Sequence, residues 1–111
     1  TCMFWARTDN RTAGAQVLGG IRLNSQNRIY YRCDNSRIVH ELNDVYNEIV
    51  YPAPADDVWA HFAFTYDGST LLGYVNGQLE ITLAKVQAFP AGNWAAGFGI
   101  EPGTTFGELD G

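Results

Sequence analysis

Positive charge is scarce in this chain. Seven Lys and Arg stand against twelve Asp and Glu, for a formal net charge of −5. Nucleic-acid recognition needs a basic patch, so the balance argues against that partner. It also argues against docking on anionic lipid, and the acidity itself reads first as solubility. Cysteine is scarcer still. Cys2 and Cys33 are the only two, too few for a metal cluster and too far apart for a Cys-x-x-Cys redox motif. They read either as two buried thiols or as one disulfide between adjacent strands, which would imply an oxidising compartment. No apolar run reaches the roughly 18–20 residues of a membrane helix, so no membrane insertion is expected. No basic-then-apolar leader opens the chain, and a secretion signal is expected to have been removed or to lie outside this segment. His-x-x-x-His, Gly-x-Ser-x-Gly and phosphate-cradling Gly loops are missing as well.

What the chain does have is aromatic and β-forming residues. Hydrophobic residues make up 46% and aromatics 14% of 111 residues, which argues against disorder and for one domain, residues 1–111, with a core of its own. The stretch from Trp59 to Gly77 carries the strongest local signals. Phe62, Phe64 and Tyr66 are spaced by two and share a face on a strand. Asp67-Gly68 breaks that run, Leu71 to Val75 starts another, and Asn76-Gly77 is the hairpin dipeptide whose type I′ turn needs positive φ twice. Leu79 to Leu83 completes a three-stranded meander.

The rest of the chain alternates in the same way. Met3 to Ala6 and Gln16 to Leu23 read as strands, with Gly19-Gly20 marking a bend or bulge. In Arg28 to Cys33, Ile29, Tyr31 and Cys33 point one way and Arg28, Tyr30 and Arg32 the other, one face buried and one wet. Arg37 to Leu42 reads as a strand, with a helix over Ile38 to Tyr46 opposed by poor helix formers. Asn43 to Val50 is ambiguous. Tyr51-Pro52-Ala53-Pro54 is extended, and Asp56-Asp57 reads as a one-turn cap before Trp59. Val86 to Asn93 is a loop, Trp94 to Ile100 a packed strand, Pro102-Gly103 a turn, and Phe106 to Asp110 the beginning of a last strand. Turn signals every 8–12 residues with hardly any helix point to an all-β, antiparallel β-sandwich. Phe4, Trp59, Phe62, Phe64, Tyr66 and Phe98 read as core.

Trp59-x-His61-x-Ala63-Phe64-Thr65-Tyr66-Asp67-Gly68, followed by Tyr74-Val75-Asn76-Gly77, resembles the laminin-G-like, concanavalin A-like lectin/glucanase superfamily. Phe4-Trp5-Ala6-Arg7-Thr8 and Phe106-Gly107-x-Leu109-Asp110 resemble its early and last strands. The resemblance implies a jelly-roll sandwich, here lacking parts of both terminal strands, and an extracellular location. It implies a non-catalytic binding or adhesion module with carbohydrate as the ligand. The alternative is a structural subunit that self-associates, its sandwich finished by strands from its neighbours. A weak third reading is a fragment of a glycoside hydrolase, invited by Glu108-Leu109-Asp110. Paired carboxylates on one strand face can act as nucleophile and acid, but the family's third carboxylate is missing, so no catalytic residue is assigned. The fold can also bring the strands of Cys2 and Cys33 together, so the resemblance favours the disulfide.

For a carbohydrate ligand, Tyr30, Tyr46, Tyr51 and Trp94 are the candidate binding residues, because exposed aromatic rings stack on sugar faces. Asn10-Arg11-Thr12 is a glycosylation acceptor triplet in a polar loop. His40 and His61 read as structural. Related modules often hold calcium. Asp34, Asn35, Asn43, Asp44, Asp56 and Asp57 are loop oxygen donors, but their spacing matches no ligand loop, so calcium is kept as possible and no metal residue is assigned.

Overall fold

The computed structural model describes residues 1–7, 17–32, 36–55 and 57–98. Among these, the chain forms nine strands: β1 (Cys2–Ala6), β2 (Val17–Asn24), β3 (Asn27–Arg32), β4 (Arg37–Leu42), β5 (Val45–Val50), β6 (Ala60–Tyr66), β7 (Thr70–Val75), β8 (Gln78–Ala84) and β9 (Ala95–Phe98). Every pairing is antiparallel. A four-stranded sheet has the order β1-β6-β7-β8 and a five-stranded sheet the order β5-β4-β3-β2-β9. The two enclose one core, which is the all-β sandwich expected.

The meander forms as read. Asn76 and Gly77 both take positive φ, 50° and 79°, at the β7–β8 turn, as a type I′ turn requires. At the β6–β7 turn, the Asp67 carboxylate accepts from the Ser69 and Thr70 amides, each at 2.8 Å. Those donors hold its carboxyl below the usual range. The ambiguous segment from Asn43 onward also resolves as a hairpin. Asn43 and Asp44 take φ of 52° and 64°, and β5 pairs with β4 from Leu42↔Val45 to Arg37↔Val50. Polar side chains that tolerate the left-handed region turn the chain here without a glycine.

Alternation sends Phe62, Phe64, Leu71, Val75 and Ile81 inward from one sheet and Ile29, Tyr31 and Ile38 from the other. Tyr31 sits at the centre, wholly buried. Its ring packs with Phe4, Tyr51, Phe62 and Phe64 at centroid distances of 5.2–6.1 Å. Its hydroxyl donates to the carbonyl oxygen of Ala63 at 2.7 Å, with that of Tyr74 at 3.3 Å as a second acceptor. A side chain of the five-stranded sheet therefore bonds the backbone of the other sheet. Burial raises this phenol well above its ordinary pKa.

Several readings need correction. Trp59 is not core. It precedes β6 and is 61% exposed, because the inward parity belongs to Ala60, Phe62 and Phe64. Phe98 packs on Phe4 at 5.4 Å yet stays 58% exposed, since β9 is an edge strand with nothing described beyond it. Asp57 lies in a turn with φ of 59°; Asp56 is outside the described residues, and so are Asn10, Cys33, Asp34, Asn35 and the segment 99–111.

Candidate functional site

On the face of the five-stranded sheet turned away from the core, β3 presents Arg28, Tyr30 and Arg32. Register places Val39 opposite Tyr30, Arg37 opposite Arg32 and Glu41 opposite Arg28 on β4. On β5 it places Glu48 opposite Val39 and Tyr46 opposite Glu41. On β2, Arg22 stands opposite Arg28 and Val17 opposite Arg32. Strand parity alone therefore collects four arginines, two glutamates and two tyrosines on one face.

The face has a small apolar floor of its own: Val17, Tyr30 and Val39, all buried. Tyr30 lies beside Gly20, where an added Cβ would come within 2.4 Å of the tyrosine Cβ. Only glycine lets β3 approach β2 this closely there. The Arg28 guanidinium reaches over that ring, 5.6 Å from its centroid, a favourable cation–π placement.

Above the floor runs a charged network. Arg28 Nε donates to Glu41 Oε1 at 2.7 Å. Glu48 is the hub of a second group: Arg37 and the Tyr46 hydroxyl both donate to it, and Arg32 Nη1 lies 3.6 Å from its carboxylate. The Tyr46 bond, then Arg37, hold the Glu48 carboxyl below the usual range against the opposing effect of burial. Tyr46 is pushed up to about 12 by burial first and by Glu48 second. It remains 44% exposed, so its ring is the open aromatic surface of the face.

The four candidate aromatics thus separate. Tyr30 and Tyr46 share this face, Tyr30 in its floor and Tyr46 at its surface. Tyr51 is 2% exposed and belongs to the core, its hydroxyl donating to the Arg32 carbonyl oxygen at 2.7 Å. The exposure read for Tyr30 and Tyr51 is not observed: Tyr30 is buried with Val17 and Val39 under the Arg28 guanidinium, and Tyr51 is part of the aromatic core. Trp94 lies elsewhere, in the loop before β9. It stacks on Phe89 at 4.4 Å and its indole N–H donates to the Pro90 carbonyl oxygen at 2.9 Å.

The arginines and glutamates of this face were not singled out as binding residues in the sequence. The signal was the alternation of Arg28, Tyr30 and Arg32. It continues as Arg37, Val39, Glu41 and then Tyr46, Glu48, and is visible only once β5 is known to be a strand.

The remaining candidates fall outside this face. Cys2 is buried at the core, while Cys33 and Asn10 are outside the described residues. Among the described residues, no group of three or more His, Cys, Asp or Glu stands close enough to hold a metal ion, and no helix is long and apolar enough to cross a membrane. His61 meets the Trp5 ring edge-on at 5.2 Å. His40 is fully buried, and neither ring nitrogen has a hydrogen-bond partner among the described residues.

Two antiparallel sheets face to face around one aromatic core, with one outer face rich in planar polar groups, define a jelly-roll-type β-sandwich. The sequence matches the family described as the concanavalin A-like lectin/glucanases superfamily over residues 1–109, and the chain belongs to that family. Comparisons with curated proteins and with solved structures return no match.

Proposed function

We propose that the chain is a non-catalytic, extracellular binding module that takes carbohydrate on the outer face of its five-stranded sheet. The observation that carries this reading is Tyr46, an aromatic ring left open beside the Glu48–Arg37–Arg32 group. A sugar has apolar C–H faces and a rim of hydroxyls, and this arrangement offers a ring for the first and fixed donors and acceptors for the second. The superfamily holds both lectins and glucanases, so the family alone does not choose between binding and hydrolysis.

The non-catalytic part rests on the carboxylates. A glycosidase keeps one carboxyl protonated as the general acid. Glu41 and Glu48 are each paired with arginine, and Glu48 is pushed toward the ionised form. Screening the folded chain on a glycan array and titrating a positive sugar by calorimetry tests the reading. Tyr46→Ala is expected to weaken binding by about tenfold, the loss of one stacking contact of roughly 1.4 kcal/mol. Unchanged binding in that variant would move the site off this face, and release of reducing sugar would restore the glycosidase reading.

A second reading, the self-associating structural subunit, has its own observation. Beyond β1 no further strand of the four-stranded sheet is described, and Met3 and Trp5 are 59% and 63% exposed. An open sheet edge with apolar neighbours is a template for strand addition. Sedimentation velocity over a hundredfold range of concentration tests it, and a monomer at every concentration would remove it.

A further inference from the structure

The segment 85–94 joins the two sheets, leaving β8 of the four-stranded sheet and leading to β9 of the five-stranded one. Its first residues are tied to the β6–β7 turn. The Lys85 amide donates to the Ser69 carbonyl oxygen at 2.8 Å, and the Gln87 amide to that of Gly68 at 3.0 Å. The Tyr66 hydroxyl donates to the Lys85 carbonyl oxygen at 2.7 Å, with that of Gln87 at 2.9 Å as a second acceptor. The Gln87 side chain reaches across to the carbonyl oxygen of Leu42, the last residue of β4. Further on, Phe89 packs on Tyr66 at 6.1 Å and Trp94 on Phe89. Val86 and Phe89 are 84% and 43% exposed, so the segment is a strap on the outside, held more by polar ties than by burial.

The groups beneath this strap are polar and unanswered. His40 is fully buried on β4, and Asn47 stands opposite it on β5. Both His40 ring nitrogens, Asn47 Nδ2 and Gln87 Oε1 are buried without a hydrogen-bond partner among the described residues. Each would gain one from water, so closure costs free energy that opening returns. The surroundings of His40 also give a proton no counter-charge. Ile29 and Asn47 flank it in register, the Tyr66 ring meets it edge-on, and Lys85 on the strap is itself a cation acting against it. Glu41, next in the chain, is paired with Arg28 on the outer face, and Asp67 is bound to the amides of its own turn. Independently of the carbohydrate reading, we infer that the strap closes over His40 at neutral pH and is released by acid, carrying Phe89 and Trp94 away while the two sheets stay folded. A charged imidazole needs water. Lifting the strap admits it and removes Lys85, whereas the other walls around His40 are paired strands. Local openings of this kind draw on the least buried elements of a fold.

Lys85 is the only lysine in the chain, so endoproteinase Lys-C cuts at the strap alone. The protease needs an extended, unpaired segment, which the closed strap does not offer. Cleavage of the folded chain is followed by mass spectrometry and normalised at each pH to a peptide with one lysine. Between about pH 7.5 and about pH 5.5 the rate is expected to rise about five- to tenfold, the most that one imidazole with a free pKa of about 6.5 contributes over that range. In His40→Leu and His40→Gln, which do not titrate, the rate should stay within about twofold. Either variant decides the point once near-ultraviolet circular dichroism shows that it is folded. Gln87→Ala loosens the clasp on Leu42 and should be cut about fivefold faster at neutral pH while keeping its acid response. Low urea should hardly change the rate, because a local opening exposes little surface. A rate indifferent to pH or slowed by acid would overturn the inference. So would an acid response that survives in a folded His40 variant, or unchanged cleavage in Gln87→Ala. A urea dependence as steep as that of global unfolding would also overturn it, by assigning the cleavage to the whole fold.

Discussion

The two outer faces of the sandwich are made by the same period-2 alternation and come out opposite in character. On the five-stranded sheet the outward positions hold four arginines and two glutamates tied in pairs around Tyr30 and Val39. On the four-stranded sheet, the positions in register with Met3 and Trp5 are His61, Ala63, Thr65, Leu72, Tyr74, Leu79 and Thr82. None of these is an acid, a lysine or an arginine, and Glu80 falls at the β8 bulge. One face is therefore organised and electrostatically directed, the other plain and partly apolar. Long side chains held by several partners lose their freedom during folding and cost little to use in binding afterwards. An exposed Met, Trp or Leu without such partners offers area but no direction.

Experiments that separate the faces should first establish the core they share. Phe64 is 2% exposed and packs from β6 against the Tyr31 ring at 6.1 Å. Phe64→Ala should cost about 3–5 kcal/mol in denaturant melts. A loss under about 1 kcal/mol would mean that the meander does not carry the core.

The next effect in size would staple the two faces together. Cys2 is on β1 of the four-stranded sheet, and Cys33 follows β3 of the five-stranded sheet in sequence. A bridge between them would close a loop of about 32 residues and stabilise the fold by roughly 3–4 kcal/mol on the chain-entropy model. Alkylating the denatured, unreduced protein and weighing it decides the matter: no added mass is expected, and two modified thiols would refute the bridge.

His40 provides a pH-dependent difference between the sheets. It sits on the inward side of β4, with Asn47 opposite on β5 and the Tyr66 ring edge-on at 4.7 Å. Lys85 adds an unfavourable charge for a protonated imidazole, and burial, the larger effect, lowers the pKa. Gln87 spans the gap, its side-chain amide donating to the Leu42 carbonyl oxygen at 3.1 Å and its backbone amide reaching the Tyr66 hydroxyl at 3.2 Å. The folded pKa lies below the unfolded value of about 6.5, so the unfolded chain takes the proton first. Stability is complete above about pH 6.5 and falls as the pH drops below it, by at most about 1.4 kcal/mol per pH unit. His40→Leu removes the titration and the unpartnered nitrogens together. Melts between about pH 7 and pH 5 should lose most of their slope, and an unchanged slope would assign it to other groups.

The sandwich was legible because its strongest turns are short and chemically specific. Asp67-Gly68 and Asn76-Gly77 mark their positions by residues that accept positive φ or cap a turn. Asn43-Asp44 turns the chain through the same left-handed backbone but lacks glycine, and β5 stayed ambiguous for that reason. The outer face of the five-stranded sheet suffered most from this, since Tyr46 and Glu48 acquire a side only when β5 is a strand. Tyr30 and Tyr51 show a second limit. Alternation says which way a ring points, but Arg28 over Tyr30 and the Arg32 carbonyl beyond Tyr51 are tertiary facts. Trp59 shows the converse: one residue before the first inward position, a large aromatic faces solvent.

The smallest expected effect on stability tests the plain face. Trp5 lies one residue before the end of β1 and touches His61 edge-on at 5.2 Å, yet 63% of its surface is open. Trp5→Ser removes little that is buried on folding, so the melt should move by about 0.5 kcal/mol or less, the usual range for an exposed position. The same substitution separates the two functional readings. If this face works only as the outside of a monomer, sedimentation and polysaccharide binding should both match the parent chain. If β1 and its apolar neighbours accept a strand from another copy, Trp5→Ser should shift the assembly to higher concentration while leaving the fold intact. A loss above about 2 kcal/mol would show instead that Trp5 is covered within the folded chain, because a cost of that size comes from buried packing. The four-stranded sheet would then be covered on both sides, and its outer face would no longer be the plain, open one.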